Sequence, residues 1–179
     1  MLSVDKSALL VIDIQERLFP LIYQKDIFLK NLLGMIKGAQ ILEIPILATE
    51  HVPKKIGKTI PEIAGLLTGV KTITKNTFSC LGEPLFTQEL GALGRPNILI
   101  AGVETHICVY QTARDLVSAG YNVQVVTDAV SSRTAHNKVI GIERIKDSGG
   151  SVTSVETVVC ELLQVAEGEK FKKILALIK

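Results

Sequence analysis

The chain of 179 residues is long enough for one domain with a substantial core, and its formal charge of +2 is too small to argue for a nucleic-acid or membrane surface. Hydrophobic residues make up 47% and aromatic residues 4%, a composition typical of a parallel sheet covered by helices. No apolar run approaches the roughly 18 residues of a membrane span, no signal peptide is evident, and three irregularly spaced cysteines form no zinc motif. The sequence therefore predicts a single domain, residues 1–179, in the reducing cytoplasm.

Short apolar runs alternate with helical patterns along the chain. Strands are predicted at 7–13, 45–50, 70–75, 98–103, 123–128 and 151–155. Helices are predicted at 26–43, 63–67, 83–93, 105–119, 135–147, 156–164 and 170–178. This alternation predicts an α/β fold with a doubly wound, mostly parallel sheet.

Three chemically active side chains, Asp13, Lys75 and Cys108, fall at the ends of predicted strands or just beyond them. The carboxyl ends of parallel strands share one edge of the sheet, so the three side chains can converge. A thiol at a helix start is more easily ionised, and the thiolate is the nucleophile. Asp13 can take the thiol proton, Lys75 can stabilise the thiolate, and backbone N–H groups of the turn can form an oxyanion hole. The alternative is that Cys108 is a small buried apolar residue.

The histidines and the other two cysteines are weaker candidates for a functional site. His51, His106 and His136 lack the spacing of a metal motif. Cys80 and Cys160 lie in helical or helix-flanking patterns, which predicts that both are buried. No GxGxxG or GxxxxGK[ST] motif is present, which argues against dinucleotide or P-loop nucleotide binding. We therefore expect no metal and no cofactor.

Five short segments carry a resemblance to a known family. They are Val-Ile-Asp-Ile-Gln at 11–15, Thr-Glu at 49–50, Lys-Asn-Thr-Phe-Ser at 75–79, Ala-Gly-Val-Glu-Thr-His-Ile-Cys-Val at 101–109 and Thr-Asp-Ala-Val-Ser-Ser-Arg at 127–133. Over nearly its whole length the chain resembles the isochorismatase-like cysteine hydrolases, most closely the isochorismatase-domain-containing branch. The combination of the GVxTxxCV turn with D-x-Q and K-x-x-F-S is specific, whereas each motif alone is not.

The resemblance implies a six-stranded sheet in a three-layer αβα sandwich, Rossmann-like, and a catalytic triad of Asp13, Lys75 and Cys108. It implies a cis peptide bond between Val103 and Glu104, with the N–H groups of Glu104 and Cys108 forming the oxyanion hole. It further implies an assembly of several identical subunits, a dimer or larger.

The resemblance also assigns substrate contacts to Gln15, Phe78 and Val103. Nicotinamidases of the family carry an Asp-x-His set and a further His that bind a metal, and the corresponding segment here, 49–53, lacks that set. This departure weakens a nicotinamidase interpretation and again predicts no metal.

The sequence thus predicts a metal-independent cysteine hydrolase that cleaves a small amide, imide or ester through a thioester intermediate. The alternative is a non-catalytic, oligomeric binding or scaffold protein of the same fold. A nuclease, suggested by the lysine-rich loop 54–58, is less favoured, because no acids arranged for metal-dependent phosphodiester cleavage are visible. The expected partners are a small-molecule substrate and further copies of the chain, without membrane or nucleic acid.

Overall fold

The computed structural model describes residues 2–178, except for the side chain of Ile178. Met1 and Lys179, the two ends of the predicted domain, lie outside the described residues. Six strands form one sheet: β1 Ser7–Ile12, β2 Ile46–His51, β3 Thr72–Lys75, β4 Asn97–Val103, β5 Asn122–Ser131 and β6 Ser151–Thr153. All neighbouring strands are parallel, in the order β3-β2-β1-β4-β5-β6. The predicted six-stranded, doubly wound αβα sandwich is confirmed.

Helices cover both faces of the sheet. They are α1 Lys25–Ile41, α2 Pro53–Ile56, α3 Pro61–Ala64, α4 Pro84–Leu93, α5 Tyr110–Ser118, α6 Ala135–Asp147, α7 Val155–Leu163 and α8 Gly168–Ile178. Helices α1, α7 and α8 pack on one face, and α4, α5 and α6 contribute to the core on the other. No helix in the part of the chain that the structure describes combines the length and apolar character needed to cross a membrane.

The central strand β1 shows how the sequence builds two cores. Every residue of β1 is buried, and successive side chains point to opposite faces of a sheet. Leu9 and Val11 therefore belong to one core, while Leu10 and Ile12 belong to the other. A continuous apolar run is the pattern required of a strand with helices on both sides.

Two glycines allow close backbone approaches near the carboxyl edge of the sheet. Gly102 in β4 has φ +138°, and a Cβ there would lie 2.4 Å from the carbonyl oxygen of Ile12. Gly141 in α6 lies against the segment that follows β4, where a Cβ would be 2.6 Å from backbone atoms of Thr105 and His106. These two approaches fix the segment around Glu104 between β1 and α6.

The structure departs from the predicted elements at two places near this edge. The predicted helix 105–119 begins as a π-helical turn, Thr105–Val109, and becomes α-helical only at Tyr110. Strand β5 continues to Ser131, past the predicted end at 128, because its register against β4 shifts between Ile100 and Gly102. The longer strand brings Ser131 beside Val103 and delivers the residues after it to the same edge.

Candidate active site

Asp13, Lys75 and Cys108 converge at the carboxyl edge of the sheet. Asp13 directly follows β1 and has φ +56°, a conformation that Asp and Asn tolerate better than most residues. Lys75 is the last residue of β3, and Cys108 lies in the π-helical turn after β4. The exposed fractions of the three residues are 1%, 1% and 7%. A carboxylate, an ammonium and a thiol therefore meet where almost no water reaches them.

Asp13 and Lys75 form a fully buried ion pair. The Nζ atom of Lys75 donates to Oδ2 of Asp13 at 2.7 Å, and the hydroxyl of Thr49 donates to Oδ1 at 2.7 Å. Lys75 also donates to the carbonyl oxygens of Thr77 and Phe78, at 3.3 and 3.2 Å. Burial acts to lower the pKa of Lys75, but the charge of Asp13 acts against it and the pKa is raised, so the ammonium stays charged.

The thiol of Cys108 is neutral at rest. Burial raises its pKa well above the ordinary value, and the negative charge of Asp13 raises it further, while Lys75 opposes the shift only in part. The expectation of an easily ionised thiol at a helix start is therefore wrong, because burial and the neighbouring carboxylate together raise the pKa of Cys108. A nucleophilic Cys108 must lose its proton to Asp13 as it reacts.

The turn before Cys108 presents backbone donors. The peptide bond between Val103 and Glu104 is cis, and within residues 2–178 the N–H of Glu104 has no hydrogen-bond acceptor. The carbonyl oxygen of Glu104 accepts from the N–H groups of Ile107 and Val109, at 3.0 and 3.2 Å. The turn thus leaves the N–H of Glu104 unpaired on the segment that carries Cys108, as an oxyanion hole requires.

A cleft of about 310 Å³ opens above Cys108. It is lined by Arg17, Leu18, Leu21, His51, Ile56, Phe78, Glu104, Ile107, Cys108 and Arg133. Phe78 is 52% exposed, and its ring stacks on that of His51 with centroids 5.5 Å apart. A larger depression of about 530 Å³ lies at the opposite edge of the sheet, and its described lining holds neither a cysteine nor a charged side chain. Of the three reactive residues, Cys108 lines the smaller cleft, while Asp13 and Lys75 lie outside its lining.

Gln15 and Val103, predicted to contact substrate, do not line this cleft. The buried amide of Gln15 donates to the carbonyl oxygens of His51 and Gly57, at 3.0 and 2.6 Å, and accepts from the N–H of His51 at 2.7 Å. Val103 is buried in the core beneath α1. Direct contact with substrate has no support in this geometry, which instead makes Gln15 a tether between the end of β2 at His51 and Gly57 after α2.

Two arginines that line the cleft, Arg17 and Arg133, were not predicted as site residues from the sequence. Arg133 pairs with Glu104, the Nε–Oε1 distance being 2.5 Å, and Arg17 donates to the carbonyl oxygen of Lys55 at 2.9 Å. Arg133 and Glu104 both lie in segments that resemble the family, 127–133 and 101–109, but no signal in the sequence indicated that the two side chains pair across 29 residues. His51 lines the cleft in neutral form, since burial lowers its pKa.

The other two cysteines differ from each other. Cys80 is fully buried, as predicted, and burial raises its pKa to about 12. Cys160 is exposed, so the prediction that it is buried is wrong: α7 buries Val158, Val159 and Leu162 and turns Cys160 outward. Within residues 2–178 no three His, Cys, Asp or Glu side chains are grouped to hold a metal ion.

Thr49 fixes the orientation of the Asp13 carboxylate, and its removal has a measurable cost. Thr49→Val deletes the donor to Oδ1 and is expected to lower the free energy of unfolding by about 1–3 kcal/mol, the usual range for a buried group left without its partner. Urea denaturation of the purified variant measures this change. Thr49→Ser keeps the hydroxyl and should lose less than half as much. A Thr49→Val variant as stable as the native protein, or a larger loss in Thr49→Ser, would mean that the hydrogen bond contributes little.

Comparison with known proteins identifies the class. The fold and a family model place the chain among the isochorismatase-like hydrolases. The chain belongs to the isochorismatase family: the Isochorismatase domain model matches residues 7–157. Membership of this family supports a hydrolase activity.

Individual relatives agree with this assignment. The chain is 38% identical over 178 residues to the secreted isochorismatase effector Isc1 of Phytophthora sojae (strain P6497), covering 97% of this chain and 84% of that protein. It is similar to the structure of MAR1 ribonuclease from Caenorhabditis elegans, with 32% identity, a TM-score of 0.89 and coverage of 99% and 91%. It shares the fold of the YcaC gene product of Escherichia coli, described as an octameric hydrolase of unknown specificity, with 23% identity, a TM-score of 0.93 and coverage of 98% and 89%.

Proposed function

We propose that the protein is a cysteine hydrolase that cleaves a small amide, imide or ester through a thioester on Cys108. The observation that carries this proposal is the buried Asp13–Lys75 ion pair against a thiol that opens into a cleft. A base, a fixed cation and a nucleophile in one dry site are the groups that acyl transfer needs. The volume of the cleft suits a small molecule.

In the first half-reaction, Sγ of Cys108 attacks the substrate carbonyl carbon while its proton passes to the Asp13 carboxylate. The new S–C bond forms as the carbonyl π electrons move to oxygen, and the N–H groups of Glu104 and Cys108 stabilise that oxyanion. The intermediate collapses with cleavage of the bond to the leaving group, which takes the proton from Asp13. Lys75 remains an ammonium throughout and orients the carboxylate.

In the second half-reaction, water attacks the thioester carbon and Asp13 accepts one of its protons. The second tetrahedral intermediate collapses with cleavage of the C–S bond, and Asp13 returns the proton to Sγ. The products are a carboxylic acid and an amine, an amide or an alcohol, for an amide, imide or ester substrate respectively, and the enzyme regains its starting state. Since Cys108 is neutral at rest, proton transfer to Asp13 accompanies the attack rather than preceding it.

A substrate panel tests this function. We expect hydrolysis of at least one compound among short-chain amides, cyclic imides and p-nitrophenyl esters, with the activity retained in Cys160→Ser, whose substitution lies outside the cleft. The alternative is favoured if the native protein is folded and oligomeric, binds a partner, and yet hydrolyses no compound of the panel. In that case the protein is a non-catalytic scaffold.

RNA belongs in the same panel for a specific reason. The MAR1 ribonuclease of C. elegans is 32% identical. Beside the cleft, Lys54 and Lys55 lie on α2 and Lys58 follows it. RNA that remains intact supports the acyl-transfer proposal. RNA cleavage that persists through repeated purification and disappears in Cys108→Ala would move the assignment to a ribonuclease.

Assembly and location stay predictions. The YcaC gene product of E. coli is octameric, which supports the prediction of a homo-oligomer, and light scattering measures the mass in solution. The P. sojae relative is a secreted effector, so the predicted cytoplasmic location is not supported by every relative.

A further inference from the structure

Two arginines stand on the cleft with part of their donors unused. The backbone N–H and the Nε atom of Arg133 donate to Glu104, at 3.2 and 2.5 Å, which holds the guanidinium against the turn that precedes Cys108. Nη1 of Arg17 donates to the carbonyl oxygen of Lys55. Among the described residues, both Nη atoms of Arg133 and the Nε and Nη2 atoms of Arg17 make no hydrogen bond. Each guanidinium is therefore anchored and still able to donate.

The charges around the thiol leave one positive charge in excess. There are three cations near the thiol: Arg17 and Arg133 on the cleft, and Lys75 behind them. There are two carboxylates, those of Glu104 and Asp13. Cys108 adds no charge because its pKa is raised, and His51 adds none because burial lowers its pKa. The remaining lining near the arginines is apolar, including Leu21, Ile56 and Ile107. The side chain of Arg133 is 51% exposed and Leu21 60%, so the cleft is open to solvent, and its apolar surface screens an ion pair less than bulk water does.

We propose that the substrate carries a carboxylate in addition to the acyl group that Cys108 attacks, and that Arg17 and Arg133 bind this carboxylate. A planar guanidinium offers paired N–H donors that match the two oxygens of a carboxylate. Binding there holds the rest of the molecule in a cleft of about 310 Å³, close to Sγ. The inference rests on the proposed function, whose substrate class it narrows to small acids that also contain an amide, imide or ester.

The experiment compares benzoate with benzamide, which have similar shapes and differ in charge. Calorimetry on Cys108→Ala, which has no nucleophile, measures both affinities at low and moderate salt. We expect benzoate to bind about tenfold more tightly than benzamide, the difference that one charge-assisted contact typically makes, with the advantage reduced at higher salt. Arg17→Gln and Arg133→Gln should each reduce the advantage. Lys37→Gln, which removes an exposed cation of α1 outside the cleft, should leave it unchanged.

Three results would overturn the inference: equal affinities, no binding of either compound at 10 mM, or a benzoate preference that survives both arginine substitutions. If Arg133→Gln does not fold, the affinities for benzoate and benzamide are compared in Arg133→Lys and Arg17→Gln instead. Because the measurement needs no turnover, its failure leaves the hydrolase proposal standing. Conversely, a benzoate preference in a protein that hydrolyses nothing would separate the anion site from the proposed chemistry.

Discussion

Lys75→Met is expected to lower the free energy of unfolding by about 3–5 kcal/mol, the usual cost of removing one partner of a buried ion pair. The substitution keeps the length and most of the volume of the side chain but leaves the Asp13 carboxylate buried with Thr49 as its remaining donor. Urea denaturation at neutral pH measures the loss. Lys71→Met is the matched control: Lys71 pairs with Glu89 at the surface, and such pairs contribute about 0–1 kcal/mol.

The double variant separates charge from packing. Asp13→Asn suits the positive φ of this position, and Asp13→Asn/Lys75→Met removes both charges together. We expect the double variant to be more stable than Lys75→Met alone, because no uncompensated charge remains. A double variant whose loss equals the sum of the single losses would mean that the two side chains do not stabilise one another.

The free energy of unfolding at alkaline pH provides a second test of the Asp13–Lys75 ion pair. The pKa of Lys75 is raised in the folded protein, so its contribution to stability is complete below the unfolded value of about 10.4 and is lost as the pH rises through the folded value. The stability difference between the native protein and Lys75→Met should therefore shrink above about pH 10.4.

Asp13→Asn and Cys108→Ala are each expected to reduce turnover by a factor on the order of 10³ or more, and the double variant should be no slower than the worse single variant. Asn cannot accept the thiol proton, and Ala cannot form the thioester, so either change stops the same step. The comparison uses kcat with a substrate found in the panel. Cys160→Ser should keep native kcat.

The scheme would be contradicted if the fold-loss of kcat in the double variant equalled the product of the two single losses. Independent losses of that kind would mean that Asp13 and Cys108 serve separate steps. Melting temperatures serve as the control for folding. Cys108→Ala should stay close to native, since it shortens a small buried side chain, whereas Asp13→Asn alters the buried ion pair.

The fold was predictable because the decisive patterns are local. Continuous apolar runs such as Ser7–Ile12 belong to strands with helices on both faces, and the spacing of Leu32, Ile36 and their neighbours marks α1. The edge that gathers Asp13, Lys75 and the Cys108 turn follows from parallel strands alone. The extension of β5 to Ser131 was not predictable, since it depends on a register shift against β4.

The electrostatics of the site were not readable from the sequence. The neutral state of Cys108 results from burial beside Asp13, which only the packed structure determines. The pairing of Arg133 with Glu104 and the tether from Gln15 to the loop at 51–57 each join residues far apart in the chain. Cys160 is different: the burial of Val158, Val159 and Leu162 follows a helical pattern that points it outward, so its exposure was within reach of periodicity.

The central claim is that Cys108 carries the acyl group during turnover, and acid quenching of the reaction within the first turnovers tests it most directly. Cys160→Ser protein, freed of its exposed thiol, is mixed with the substrate that the panel shows to be hydrolysed fastest, and peptide mass spectrometry locates the adduct. We predict the mass of the acyl group on the peptide containing Cys108 and its absence in Cys108→Ala. Continued turnover with no adduct on Cys108, or with the acyl group on another residue, would contradict the account.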